Sequence, residues 1–341
     1  MMPANPGDGK TPAGFVDLAS ARVGGAALFA NDEFFAPKEN LLMAGRGIFV
    51  PDKYTDRGKW MDGWETRRRR TPGNDWCIIR LGLPGIIASV DIDTNHFLGN
   101  HPPQASMDAI SLEGEITRDA ASADAPGWAA ILAKSPLNPG SQNCFDISDR
   151  NRWTHVRLNI FPDGGVARLR VYGTVMPDWR KFMPGELVDL AAIENGGVAL
   201  SCSDMFFSPM NNLIMPGRSA NMGDGWETKR RRGPGYDWIV LKLGRPGVLR
   251  KIEVDTNHFK GNYPDTCSIE GCYAPEASPA AIIDAGMPWK EILSRTKLQA
   301  DTRHFFETEL KEVGSMTHVR LNIYPDGGVS RLRIWGVMDP A

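Results

Sequence analysis

The chain carries carboxylate and imidazole groups in two short motifs that could move protons between a substrate and water. The first motif places Glu65 just before a run of arginines, and the second places Asp93 and His96 three residues apart. A histidine beside carboxylates exchanges protons near neutral pH. These residue types therefore indicate general acid–base chemistry with water as the attacking group.

The same groups occur a second time further along the chain. Between the two copies of the first motif only Arg67 changes, to Lys229, and a third and longer segment recurs with 16 identities in 20 residues. Three ordered, nearly gapless matches of this quality do not arise by chance, so the chain is a tandem duplication. The matched segments are 62–70 and 224–232, 93–100 and 255–262, and 154–173 and 317–336.

The duplication predicts two domains. The first copy carries about ten extra residues between Arg46 and Trp60, which the second copy lacks. The predicted boundaries are a loose N-terminal tail at 1–14, a first repeat at 15–175, a linker at 176–184 and a second repeat at 185–341.

Within each repeat the pattern is mostly that of strands. Residues 86–93 form a β-branched run, and residues 166–171 alternate apolar with polar side chains. The turn residues at 162–165 predict a hairpin between the strand at 154–161 and the strand that follows. Residues 128–132, with counterparts at 289–293, predict one short helix per repeat. Many short strands with Gly and Pro turns indicate an all-β fold of two tandem β-sandwiches or jelly rolls.

The repeated residues divide into structural and polar sets. Trp64, Trp76 and Phe97 are predicted core aromatics. The repeated glycines are predicted to occupy turns with positive φ, and they are Gly63, Gly99, Gly164 and Gly165 with their counterparts Gly225, Gly261, Gly327 and Gly328. A sandwich does not require histidines, carboxylates and an arginine cluster in both copies, so the polar set favours a site. Ion pairs and turns that hold loops in place are the alternative for any single residue.

Composition excludes several classes of function. The net charge is −2 over 341 residues, so neither nucleic acid nor an anionic membrane is an expected partner. No stretch approaches the roughly 18 consecutive apolar residues of a membrane span. The N-terminal residues are polar and lack the apolar core of a signal peptide, which predicts a cytoplasmic protein.

The cysteines and histidines form neither a metal-binding nor a nucleophile pattern. The five cysteines fit no zinc spacing and do not recur between the repeats, so we expect reduced thiols without a catalytic role. The second motif offers one histidine and one aspartate per repeat, fewer than a metal site needs, so we predict no metal and no cofactor. The chain also lacks a Gly-x-Ser-x-Gly nucleophile motif.

The combined motifs resemble the allantoicase family. The resemblance rests on Met-Gly-Asp-Gly-Trp-Glu-Thr-x-Arg-Arg at 222–231, Asp-Thr-x-His-Phe-x-Gly-Asn at 255–262 and the paired Leu-Asn-Ile-x-Pro-Asp-Gly-Gly-Val segments. It covers residues 15 to 338, although the first copy has Trp60 and Met61 where the second has Met222 and Gly223. The resemblance implies two galactose-binding-like jelly rolls, hydrolysis of allantoate to ureidoglycolate and urea, and a homo-oligomer.

That reaction suggests roles for the repeated polar residues. Breaking a carbon–nitrogen bond of allantoate needs an acid–base group, and guanidinium groups suit its carboxylate. The candidate catalytic residues are Glu65, Asp93, His96, Glu227, Asp255 and His258, with the aspartates orienting the histidines. The candidate substrate-binding residues are Arg68, Arg69, Asn100, Arg157, Arg230, Arg231, Asn262 and Arg320, with the asparagines recognising a ureido group.

Two other functions stay open at the level of sequence. The substrate could be a related ureide, such as ureidoglycolate. The chain could also be a tandem ligand-binding module without catalysis, because sandwiches of the galactose-binding-like kind often bind sugars. Repeated acid, base and arginine positions favour an enzyme. The number of working sites per chain is also open, since a duplicated fold can keep two sites, keep one, or build one across the domain interface.

Overall fold

A computed structural model describes residues 14–340, except 113, 115, 116, 118–125 and 285. It divides into two compact units between Met176 and Pro177. Apart from Gly14, the predicted N-terminal tail lies outside the described residues. Among the residues described, none of the helices has the length and apolar character of a membrane span.

In its described residues, the first unit consists of strands and two 3-10 helices, Ala21–Val23 and Lys38–Leu42. Its strands are β1 (Val16–Asp17), β2 (Ala26–Ala30), β3 (Tyr54–Thr55), β4 (Gly58–Lys59), β5 (Trp64–Glu65), β6 (Asp75–Asp93), β7 (Gln104–Ile110), β8 (Ala129–Pro136), β9 (Gln142–Asp146), β10 (Arg152–Phe161), β11 (Gly165–Val166) and β12 (Arg168–Val175).

The second unit repeats this order without a counterpart of β3 and β4. Its strands are β13 (Leu187–Asp189), β14 (Val198–Cys202), β15 (Trp226–Glu227), β16 (Asp237–Asp255), β17 (Thr266–Cys272), β18 (Lys290–Lys297), β19 (Arg303–Phe306), β20 (Ser315–Tyr324), β21 (Gly328–Val329) and β22 (Arg331–Met338). Its 3-10 helices are Trp179–Lys181, Ile193–Asn195, Met210–Ile214 and Met222–Asp224, and the only α-helix of the described residues is α1 (Pro279–Ile283).

Strand β6 is 19 residues long and belongs to both layers of the first sandwich. Its first part pairs with β2 and β10, and its second part pairs with β12 and β9. Strands β7 and β8 extend the first layer beyond β10, while β1 extends the second layer beyond β12. Strand β16 plays the same part in the second unit. The predicted all-β fold of two tandem jelly rolls is confirmed.

The core of each unit lies between the two layers. Ile79 and Cys77 on β6 pair with Val156 and Leu158 on β10, and all four side chains are fully buried. Successive strand residues face opposite sides, so the paired residues between them, Ile78 on β6 and Arg157 on β10, lie on the other face. Burying each large apolar side chain contributes about 1.5–3 kcal/mol.

The predicted hairpin does not form. Strands β10 and β12 pair with different parts of β6 and not with each other. The turn at 162–165 therefore carries the chain from one layer to the other. A turn motif marks a reversal of direction, whereas strand pairing depends on partners elsewhere in the chain.

The predicted short helices are also wrong, because both segments are strands. In β8, Met107 pairs with Leu132 and Asp108 pairs with Ala130, so Ile131 is the extra residue of a bulge. In β18, Ile292 is the extra residue in the same way. Because of the bulge, two consecutive apolar residues face the same side of the strand. In the sequence, such a pair resembles the spacing of apolar residues along one face of a helix.

The repeated glycines serve packing more than backbone conformation. Only Gly164 and Gly327 of that set have positive φ, at 139° and 136°. At Gly165 a Cβ atom would lie 2.0 Å from a ring carbon of Phe97, which is itself fully buried. A side chain at that position would expel the aromatic ring from the core.

Candidate functional site

Strand pairing directs Glu65 out of the core. In β5, Trp64 and Glu65 pair with Val166 and Gly165 of β11. Trp64 is fully buried and donates its indole N–H to the Asp32 carbonyl at 2.8 Å. Glu65 therefore points to the opposite side of the strand, where it is half-buried.

Asn100 lies against the same glutamate. Its backbone carbonyl accepts a hydrogen bond of 2.8 Å from the Gly165 amide, which joins the loop after β6 to β11. Its Nδ2 donates a 2.6 Å hydrogen bond to Oε1 of Glu65. Burial raises the pKa of the Glu65 carboxyl above its usual value, and the Asn100 hydrogen bond opposes part of that rise.

His96 approaches the site from a left-handed backbone conformation. Its φ is +68°, and the counterpart His258 has a φ of +70°. A non-glycine residue in that region costs on the order of 1–3 kcal/mol, and such residues cluster at functional sites. The ring of His96 is exposed and lies beside Phe49, with 5.7 Å between ring centroids.

These groups line one open cavity of about 350 Å³. Its polar lining residues are Glu65, His96, Asn100 and Lys59. Its other lining residues are Phe35, Phe49, Gly58, Met61, Leu98 and Gly99. A cavity with an apolar wall and a few convergent polar groups has the character of a small-molecule site.

The second unit repeats the carboxylate–carboxamide pair. Asn262 Nδ2 donates to Oε1 of Glu227, and burial raises the pKa of this glutamate as well. His258 is placed differently from His96, because its Nε2 lies 3.0 Å from the carbonyl oxygen of Ser219. Lys260 stands where the first repeat has Leu98.

Asp93 and Asp255, which were predicted to orient the histidines, do not line the cavity that contains Glu65 and His96. Arg46 binds Asp93 through two hydrogen bonds of 2.8 and 2.9 Å, and Asp93 also accepts the backbone amide of Asn95. His96 is not among the partners of this buried carboxylate in the described residues. Asp255 lines a second cavity, with Arg218 at 3.7 Å, and burial raises its pKa.

Four of the predicted substrate-binding arginines, two in each repeat, form ion pairs with acidic residues. Arg69 donates to Asp75 at 2.7 Å, and Arg157 donates to Asp108 at 2.8 and 3.0 Å. In the second unit Arg231 pairs with Asp237 and Arg320 with Glu270 in the same way. Because a neutralised guanidinium group has less capacity for a substrate carboxylate, these arginines are better placed to stabilise the fold.

Arg68 and Arg230 are exposed, and neither lines a cavity described above. The structure thus brings Glu65, His96 and Asn100 together and leaves the predicted aspartates and arginines outside their cavity. Lys59 is the charged cavity residue that the repeats did not indicate, because it lies, with Phe49 and Gly58, in the segment present only in the first copy. The sequence feature that could have indicated Lys59 is the position of this insertion, directly before a repeated motif.

No group of three or more His, Cys, Asp and Glu side chains in the described part of the chain could hold a metal ion. All five cysteines are free, and burial raises the pKa of the Cys202 and Cys272 thiols to about 11.

The family model of the allantoicase repeat matches the chain twice, at residues 16–176 and 188–339. The chain belongs to the allantoicase family. It is 50% identical over 325 residues to a probable allantoicase 1 of Burkholderia mallei, covering 95% of each chain. It is 49% identical to an allantoicase of Dictyostelium discoideum, covering 93% of this chain and 86% of that one. The crystal structure of Saccharomyces cerevisiae allantoicase is similar, with a TM-score of 0.79, 38% identity and coverage of 95% and 94%.

Both allantoicase repeats of the chain therefore carry a glutamate–asparagine pair with a left-handed histidine nearby in the sequence. The two copies differ in what surrounds the pair. In the first repeat, β3, β4 and their flanking residues contribute Phe49, Gly58 and Lys59 to the cavity. The second allantoicase repeat lacks that segment.

Proposed function

We propose that this protein is an allantoicase, which hydrolyses allantoate to ureidoglycolate and urea in purine catabolism. The observation that carries the proposal is the hydrogen-bonded Glu65–Asn100 pair in one cavity with His96. It occurs in a chain that shares half of its residues with allantoicases over nearly its whole length.

The residue types suit the bond that must break. Allantoate has one carbon that bears a carboxylate and two ureido groups. Water adds a hydroxyl group to that carbon, and the departing urea nitrogen receives a proton. Glu65, whose pKa is raised, would take the proton from water, and His96 would supply one to the leaving nitrogen.

The predicted carboxamide role also suits this arrangement. Asn100 donates one Nδ2 hydrogen to Glu65. A carboxamide has a second N–H and a carbonyl oxygen, which complement the donor and acceptor groups of a ureido substituent. Asn100 would thus hold the ureido group beside the base that activates water.

We also propose a cytoplasmic homo-oligomer. Support for association comes from the second unit, where Phe206 and Phe207 are 65% and 53% exposed. Large apolar side chains exposed side by side mark surfaces of association. Light scattering of the purified protein would show a mass above that of one 37.5 kDa chain, and a monomer would refute this part.

The deciding experiment is urea release from allantoate by the purified protein, with ureidoglycolate identified as the co-product. We expect both products in equal amounts, with and without prior treatment with a chelator. A folded sample that releases no urea under any metal supplement would refute the function and direct the assay to other ureides. Loss of activity after chelation would show that a metal takes part.

A further inference from the structure

The first-repeat cavity holds one lysine or arginine side chain among its described lining residues, and it is Lys59. The ammonium group lies 4.4 Å from the centroid of the Phe49 ring. Lys59 forms no ion pair with another described residue. Its charge is therefore available to a ligand, unlike the guanidinium groups of Arg69 and Arg157, which face carboxylates.

The reaction brings two negative charges into the cavity, and a cation such as Lys59 would offset them. When Glu65 acts as a base it is an anion, and allantoate brings a second carboxylate into the same cavity. Two anions at close range repel each other unless a cation lies nearby. A lysine ammonium group, with three donors on a flexible stem, can follow the carboxylate as the substrate settles.

The hairpin of β3 and β4 is held in place by defined contacts. Arg57 donates a 2.9 Å hydrogen bond to the Phe34 carbonyl, and its guanidinium group lies over the Phe34 ring. The Trp60 amide donates to the Lys53 carbonyl at 3.0 Å, which closes the base of the hairpin. Lys59 is therefore carried by an anchored element and not by an unattached loop.

Phe49 connects the cation to the imidazole. Its ring contacts the ammonium group of Lys59 and lies beside the ring of His96. The aromatic face stabilises a nearby cation by roughly 0.5–1 kcal/mol at an exposed site. The hairpin thus supplies a positively charged, partly apolar side to the cavity, opposite in chemistry to the Glu65–Asn100 pair.

We propose that Lys59 binds the carboxylate of the substrate, an inference that rests on the proposed function. The group belongs to the first repeat alone, because the second copy lacks the segment that carries it. The duplicated units then differ in where they carry a lysine, because the second repeat has Lys260 at the position of Leu98, which lines the first-repeat cavity.

The test compares Lys59→Met with Lys53→Met. Lys53 lies on the same hairpin with its ammonium group 3.7 Å from the Trp60 ring, and it does not line the cavity. We expect Lys59→Met to raise KM for allantoate at least about tenfold, the loss typical of one charged hydrogen bond. Lys53→Met should leave KM unchanged, and Lys59→Arg should retain most of the affinity because it keeps the charge.

Binding is measured separately from turnover, by calorimetry with allantoate and by inhibition with N-carbamoylglycine and its uncharged amide. We expect the wild type to prefer the acid over the amide and Lys59→Met to lose that preference. Equal preference in Lys59→Met and wild type would overturn the proposal, as would an unchanged KM. If Lys59→Met does not fold, Lys59→Gln takes its place in both measurements.

The outcomes also separate the two proposals. A wild type that releases urea, with Lys59 variants that match it, overturns only the role of Lys59. A wild type that neither releases urea nor binds allantoate overturns both.

Discussion

Asn100 donates a 2.6 Å hydrogen bond from Nδ2 to Oε1 of Glu65, and Asn262 donates to Glu227 in the same way. In both repeats burial raises the pKa of the glutamate while the asparagine lowers it. The carboxamide therefore keeps a partly desolvated carboxylate ionised at lower pH than burial alone would allow.

Asn100→Ala should shift the pH dependence of catalysis. Removing the donor destabilises the ionised carboxylate, so the pKa of Glu65 rises further. A base must be unprotonated, so the acidic limb of the kcat/KM profile should move to higher pH. The measurement is urea release between pH 4 and 9, the range over which a glutamate and a histidine titrate. Asn262→Ala serves as the matched variant, and an acidic limb that stays in place in both variants would exclude Glu65 and Glu227 as the base.

Glu65→Gln should reduce turnover by at least about a hundredfold, the contribution typical of a general base. Glu227→Gln measures the contribution of the second repeat to turnover, and the double variant measures the combined contribution of both repeats. We expect the larger loss from Glu65→Gln, because the first-repeat cavity also contains Lys59. Circular dichroism and thermal unfolding establish that each variant is folded. Near-normal turnover of a folded double variant would remove both glutamates from the mechanism.

Substitutions of His96 should separate its backbone role from its chemical role. At a φ of +68° a glycine relieves strain that other residues bear, whereas valine adds to it. We expect His96→Gly to be at least as stable as the wild type and His96→Val to be less stable by about 1 kcal/mol. Both variants should lose turnover. Guanidinium chloride unfolding measures stability, and a His96→Gly enzyme with full activity would contradict an acid–base role.

Arg46→Ala should destabilise the first repeat without affecting the chemistry. Asp93 is 2% exposed, and Arg46 is its bidentate partner. Loss of that partner leaves a buried carboxylate without its counter-charge, so the free energy of unfolding should fall by about 2 kcal/mol.

The second repeat offers the control for this change. Arg218 is 59% exposed and stands 3.7 Å from Asp255, so Arg218→Ala should cost less than about 1 kcal/mol. Guanidinium unfolding and urea release are measured on both variants. A stable Arg46→Ala enzyme with reduced kcat would return Asp93 to the orienting role that its position near His96 in the sequence suggested.

Several features followed from the sequence because they depend on residue type and order. Glu65, His96 and Asn100 each recur at a matching offset in the second repeat, which identified all three as candidate site residues. Alternation of apolar residues predicted strands, and the conserved order of motifs predicted a duplication. Of the predicted core aromatics, Trp64 and Phe97 are fully buried, whereas Trp76 is only partly buried and packs against Ile78.

Tertiary structure decided which of the recurring groups share a site. Asp93 ends a strand whose polar face carries it to Arg46, while His96, three residues later, follows a left-handed turn into the cavity. Arg157 belongs to a recurring motif, yet only the register of β7 and β10 shows that Asp108 neutralises it. Lys59 does not recur, and it belongs to the site because β4 of the first-repeat hairpin lines the cavity.

The sequence by itself thus determined the duplication, the all-β class and the repeated acid, base and amide groups. Which charged residues form ion pairs with each other was decided only by the tertiary structure. The physical reason is that strand pairing joins residues far apart in the chain, such as Glu65 with Gly165. Neighbours in sequence, in turn, alternate between the two faces of a strand, so adjacency along the chain does not specify adjacency in a cavity.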